Sequence, residues 1–128
     1  MTPLTREWVV KAEGDYATAR REARARRQPN FDAVCFHAQQ CAEKYVKALL
    51  QQTGRPIARS HNLEALAKPL LLTHPALKAI TAGLRTLTAF AVETRYPGKS
   101  ADRAVARDAV ELVSSVRAAI RKELGASR

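Results

Sequence analysis

His37, Gln40, Lys44 and Lys47 recur every three or four residues in the stretch NFDAVCFHAQQCAEKYVKALLQQT, from Asn30 to Thr53. On a helix turning about 100° per residue, such spacing lines one face. The mixture suits an anion: ammonium groups supply point charges for phosphate, while imidazole and amide supply hydrogen-bonding edges. The same stripe also fits a solvated or dimer-facing polar side. A second group is Arg95 and Tyr96, beside the break at Pro97 and Gly98. A guanidinium there can clamp phosphate through two parallel hydrogen bonds, and a tyrosine ring can stack on a base or donate from its hydroxyl. The alternative is a helix-ending turn whose Tyr96 packs on the bundle and whose Arg95 neutralises terminal carbonyls. His61, at the threshold of a helix, is a third candidate, since helix N-termini attract anions; otherwise it is a neighbour of the cap.

Other chemistries find no support in the sequence. His37, His61, His74 and the two cysteines show no familiar metal-ligand spacing. There is no P-loop and no GxGxxG. No metal, cofactor or paired nucleophile and base is expected. Cys35 and Cys41 stand six apart on one helix, a rise of about 9 Å that exceeds disulfide reach. They read as small core residues in a reducing compartment.

These side chains must be positioned by helices. Alanine, leucine and arginine dominate, and valine, isoleucine and aromatics neither abound nor alternate, which is a helical composition. The first helix is expected from about Arg6 to Arg27, capped by Thr5 and stopped by Pro29, with Trp8, Ala12, Tyr16, Ala19 and Ala23 facing inward. Its end carries RREARARR, five arginines in eight residues. Part of that charge complements the helix dipole, and the remainder fits an acidic or nucleic-acid partner. The second helix is capped by Asn30 and ended by Gly54, with Val34, Ala38, Ala42, Tyr45, Val46 and Leu49 as its apolar arc and Cys41 at the margin. A third starts near Asn62, with Ser60 or Asn62 as cap and Leu63, Leu66 and Leu70 as its apolar edge. Pro69 makes it short or kinked. The fourth runs from about Pro75 to Thr94, with Leu77, Ile80, Leu84, Leu87 and Ala91 inward. The last is capped by Ser100, carries Ala101, Val105, Ala109, Leu112, Val116 and Ile120 inward, and ends at Gly125. The expected fold is all-α: an antiparallel up-and-down bundle of four long helices and one short one, forming one domain over residues 1–128.

Twenty-two Lys and Arg against twelve Asp and Glu leave a formal charge of +10, which favours a polyanionic partner through a salt-sensitive field. The N-terminus MTPLTREWVV has no apolar signal core, and no run approaches 18 apolar residues. A soluble cytoplasmic protein without a membrane span is expected.

Four fragments in order carry a family resemblance. They are Trp8-x-x-Lys11-Ala12-x-x-Asp15, the block from Phe36 to Lys44 (FHAQQCAEK) with Lys47 to Leu50, Ser60-His61-Asn62-Leu63, and Arg95-Tyr96-Pro97. Together they resemble the HEPN domain over nearly the whole chain. The resemblance implies a helical bundle that commonly forms a homodimer, is often encoded beside a minimal nucleotidyltransferase, and is proposed to bind nucleotides. One branch of that family consists of ribonucleases whose site is an Arg, four to six residues, then a His, near the start of the last helix. Here the positions after Arg95 that would hold the histidine are Ser100, Ala101 and Asp102, and no histidine follows His74. Arg55 and His61 have a fitting spacing but lie before the third helix, away from the family's site. The expected function is therefore a nucleotide- or RNA-phosphate-binding module using His37, Gln40, Lys44, Lys47, His61, Arg95 and Tyr96. It would work with a partner nucleotidyltransferase in a toxin–antitoxin-like pair. A metal-independent ribonuclease with Arg95 and a base such as His37 or His61, and a structural dimer without ligand, are the alternatives.

Overall fold

Side-chain caps open four of the five helices in the computed structural model, which describes residues 1–125. Helix α1 spans Pro3–Ala23. It starts three residues earlier than expected because Pro3 takes the first helical position, where its missing N–H costs nothing, and Thr2 rather than Thr5 is the cap. Thr5 is instead buried, its hydroxyl 2.9 Å from that of Thr2. The helix also ends earlier than expected, at Ala23 rather than Arg27. Pro29 disfavours helix in the residue before it, and the Glu22 carboxylate accepts the Asn30 N–H at 2.8 Å, pinning a tight turn. Within that turn Gln28 adopts a left-handed φ of 46°.

Helix α2 spans Phe31–Gln52 and is capped by Asn30, whose Oδ1 accepts from the Ala33 N–H. Beyond its end Gly54 sits at φ 71°, and the amides of Gly54 and Arg55 return to the carbonyls of Gln51 and Leu50. That pair of bonds needs a left-handed residue, which is why a glycine stands there. Helix α3, Leu63–Ala67, is capped by Asn62 and is as short as Pro69 requires, continuing only as a 3₁₀ turn over Lys68–Leu70. The expected fourth helix divides in two: a 3₁₀ segment over Pro75–Ile80, then α4 over Thr81–Glu93. Three residues per turn put Leu77 and Ile80 on one buried face. Helix α5 spans Arg103–Leu124, and its cap is Asp102 rather than Ser100. Asp102 Oδ1 accepts from the Val105 N–H at 2.8 Å, and the Ala101 N–H donates to Asp32 Oδ1 at 2.7 Å, tying the segment before the helix to α2.

The bundle is built around α2, which packs mainly on α1 and α5 and also against α4. Its buried set is wider than one arc: Cys35, Cys41, Ala48 and Leu50 are buried along with Val34, Ala38, Ala42, Tyr45, Val46 and Leu49. Ala12, Ala19, Ala38, Ala42, Ala106 and Ala109 are also buried; small side chains of this kind let helices approach closely. Larger side chains, Leu63, Leu70, Leu77, Leu84, Leu87 and Ile120, fill the rest. Helices α2 and α5 run in the same direction, since Asp32 meets Ala101 near their starts and Tyr45 meets Arg121 towards their ends. The α1–α2 and α4–α5 connections therefore gather at one end of the bundle. Among the described residues no helix is long and apolar enough to cross a membrane.

A polar network crosses the centre. Glu13 of α1 accepts from Nε and Nη2 of Arg117 in α5, each at 2.7 Å, and from the Tyr45 hydroxyl of α2. Arg121 donates to the same hydroxyl at 3.2 Å, and the Arg117 guanidinium lies 4.7 Å over the Tyr16 ring. The bidentate Arg117 contact holds the Glu13 carboxyl below its ordinary value of 4.5, with burial opposing and the Tyr45 hydroxyl assisting. Burial pushes the Tyr45 phenol up, and its bond to Glu13 adds to the shift. A carboxylate whose folded value is depressed contributes stability that is present above about pH 4.5 and lost as pH falls through the lower folded value. Urea unfolding from pH 7 to pH 3 should show that acid loss in the wild type. Glu13→Gln should flatten it and cost about 1–2 kcal/mol at pH 7, the carboxylate being about a third exposed.

Candidate functional site

Asp15 of α1 faces α2 and takes two side chains of the polar stripe. One carboxylate oxygen lies 2.8 Å from Nδ1 of His37, and the other accepts from the Lys44 ammonium. Glu43, itself on α2, repeats the arrangement further along. It accepts from Lys47 at 3.0 Å and from the Gln39 amide at 3.4 Å, and it lies 3.6 Å from Nδ1 of His61. Gln40 donates to Gln39 at 2.8 Å and so joins the same chain of bonds. The stripe is thus a seam between α1 and α2 rather than an open polar face. Gln39 is 4% and Glu43 7% exposed, and the Lys47 ammonium sits 5.5 Å over the Trp8 ring. Ammonium groups this far from solvent need partners, and the two carboxylates offset the two lysines.

This pairing fixes what each group can do. A carboxylate only accepts, so Nδ1 of a neutral His37 carries the hydrogen toward Asp15, leaving Nε2 as the free basic nitrogen. The His37 side chain keeps 30% of its surface exposed, whereas His61 is 83% exposed and touches the seam only through Glu43. Cys35 and Cys41 are buried. Burial, with Asp32 adding, pushes the Cys35 thiol up to about 11, and burial raises that of Cys41 further still. Both stay protonated at neutral pH and are poor nucleophiles.

Arg95 and Tyr96 stand at the other half of α2. Thr94 closes helix α4, the Arg95 N–H completes the last turn on the Val92 carbonyl at 3.3 Å, and Gly98 finishes the break at φ 90°. Arg95 lines a groove of about 360 Å³ with Asn30, Asp32, Ala33, Phe36, Ala91 and Thr94. Phe36 is 49% exposed and meets His37 edge-to-face, with ring centroids 5.2 Å apart. Tyr96, 63% exposed, follows Arg95 in the chain. The seven candidates therefore do not form one pocket. Arg95 shares its groove with Ala33 whereas His61 lies against Glu43, and ten residues of helix separate those levels by roughly 15 Å. Phe36 and His37 are the joint between the two groups.

Three residues matter that the stripe did not include. Asp15 and Glu43 hold it together, and Phe36 links it to Arg95. Each had a signal: Asp15 closes the Trp8-x-x-Lys11-Ala12-x-x-Asp15 fragment, Glu43 lies within FHAQQCAEK, and Phe36 is a large aromatic off the apolar arc. Among the described residues, no three His, Cys, Asp or Glu side chains are placed to hold a metal ion.

Comparison with known proteins fits this architecture. The crystal structure of TT1696 from Thermus thermophilus superposes with a TM-score of 0.82 at 22% identity, covering 95% of this chain and 99% of that one. At that identity the likeness is one of fold. No curated protein matches the chain significantly. The family model described as HEPN domain matches residues 5–123. Matched over nearly its whole length, with the helices in place, the chain belongs to the HEPN domain family.

Proposed function

We propose that this HEPN domain is a nucleotide- or RNA-phosphate-binding module. It acts as a cytoplasmic homodimer beside a minimal nucleotidyltransferase, in a pair of the toxin–antitoxin kind. The family is one of nucleotide- and RNA-interacting modules, and the charge of +10 favours such ligands. The observation that carries the reading is the half-exposed Phe36, edge-on to His37 and sharing a groove with Arg95. An aromatic face offers a stacking platform for a base, and a guanidinium in the same groove offers a bidentate clamp for its phosphate. Tyr96 supplies a second exposed ring. Asp15 holds His37 and Lys44 in fixed orientations, which lowers the entropy cost of binding. Gln40, Lys47 and His61 extend the surface along Glu43.

One observation favours a second reading. The Asp15–His37 pair has the geometry of an oriented general base, with Nε2 free to take a proton from a ribose 2′-hydroxyl and Arg95 near enough along α2 to meet phosphate charge. That would be a metal-independent ribonuclease.

Fluorescence titration with ATP, GTP and short RNAs at two salt concentrations tests the binding reading. Loss of one stacked base is worth about 1–3 kcal/mol, so Phe36→Ala should weaken binding by about 5- to 150-fold. Arg95→Ala should weaken it and reduce its salt dependence while the melting temperature holds. Unchanged affinity in both variants would sink the groove. In EDTA the RNA should remain intact; cleavage that disappears in both His37→Ala and Arg95→Ala would transfer the assignment to ribonuclease.

A further inference from the structure

Arg20 and Arg24 at the end of α1 converge with Arg103 and Arg107 at the start of α5 around a groove of about 250 Å³. Ala23 and Val110 form its apolar wall, backed by the small cluster of Ala19, Val34 and Ala106. Glu111 is the one carboxylate among the lining residues, and among the described residues none of the four guanidiniums forms an ion pair. Two are held by stacking: Arg20 lies 5.4 Å over the Tyr16 ring and Arg103 5.0 Å over the Phe31 ring.

Helix stability does not explain this placement. Arg20 and Arg24 complement the negative end of the α1 dipole, but Arg103 and Arg107 sit in the first two turns of α5, where a cation is disfavoured. Four like charges around one small groove repel each other, and an anion between them relieves that repulsion. The groove is also next to the aromatic one. Phe31, under Arg103, adjoins Asp32, which lines the Phe36–Arg95 groove and bonds to Ala101 just ahead of α5.

We propose that the arginine groove binds the phosphodiester backbone of single-stranded nucleic acid. The strand passes from there around the start of α2, so that an unpaired base reaches Phe36. A groove of this volume admits a single backbone rather than a duplex, and planar guanidiniums, two of them held by stacking, suit phosphate oxygens. The arginine groove rests on the proposed nucleic-acid function, but its residues are separate from Phe36 and Arg95.

The test is binding of a short mixed-sequence single-stranded RNA, a homopolymer of equal length, and inorganic tripolyphosphate across a salt series. Its variant is Arg24→Gln with Arg107→Gln, both exposed side chains. Each phosphate contact on a single strand contributes about 0.7 to the slope of log affinity against log salt, so the double variant should lower that slope by about 1.4. Both RNAs should weaken equally, by about tenfold or more at low salt. Phe36→Ala should leave the slope unchanged while lowering affinity. A wild-type slope in the double variant overturns the arginine groove, whatever Phe36→Ala does. Loss of slope in the double variant with no effect of Phe36→Ala keeps the groove and removes the base site. Tripolyphosphate binding as tight as RNA, or no RNA binding by the wild type, overturns the nucleic-acid assignment.

Discussion

Helix α2 is enclosed by α1, α5 and α4, and that enclosure governs the rest of the molecule. A helix with an imidazole, four glutamines, a glutamate and two lysines is enclosed at low cost only where neighbours satisfy most of those groups; among the described residues Gln52 Oε1 is buried without a partner. Asp15 answers His37 and Lys44, Glu43 answers Lys47, and Glu13 with Arg117 and Arg121 answers the Tyr45 hydroxyl. Ala12, Ala38, Ala42 and Ala109 are buried in the same interfaces, where small side chains let the helices approach closely. Apolar packing and polar satisfaction therefore specify the same arrangement.

The same enclosure decides where a ligand can approach. The seam's charges are balanced internally, so its attraction for an anion comes from fixed donors rather than from excess charge. A cluster of arginines without ion pairs among the described residues lies at the end of the bundle where the α1–α2 and α4–α5 connections meet. There, Arg20, Arg24, Arg103 and Arg107 lie on one side of the start of α2, and Arg95 with Phe36 on the other. The bond from Ala101 to Asp32 joins these regions by fixing the last connection against α2.

Much of the helical layout was legible in the sequence because its signals are local. Asn30 before an apolar repeat, Gly54 after it, and Pro69 within a leucine pattern each act over a single turn, and the structure has a cap, a left-handed residue and a truncated helix at those positions. The helix starts that differed, Pro3 for Arg6 and Arg103 for a Ser100-capped start, were settled by competing local groups or by a distant one. The segment just before α5 is held by Asp32, which is far away in sequence and adjacent in space.

What the sequence determined by itself was an all-helical bundle, its polar stripe and its excess of arginine, since periodicity and composition are properties of the chain. What only the tertiary structure decided was the pairing of those charges. Whether Lys44 meets solvent or Asp15, and whether Arg103 and Arg107 are joined by Arg20 and Arg24 around one groove, depends on which helices pack together. Charges are shared across helices, and electrostatic energy follows distance in space rather than separation along the chain.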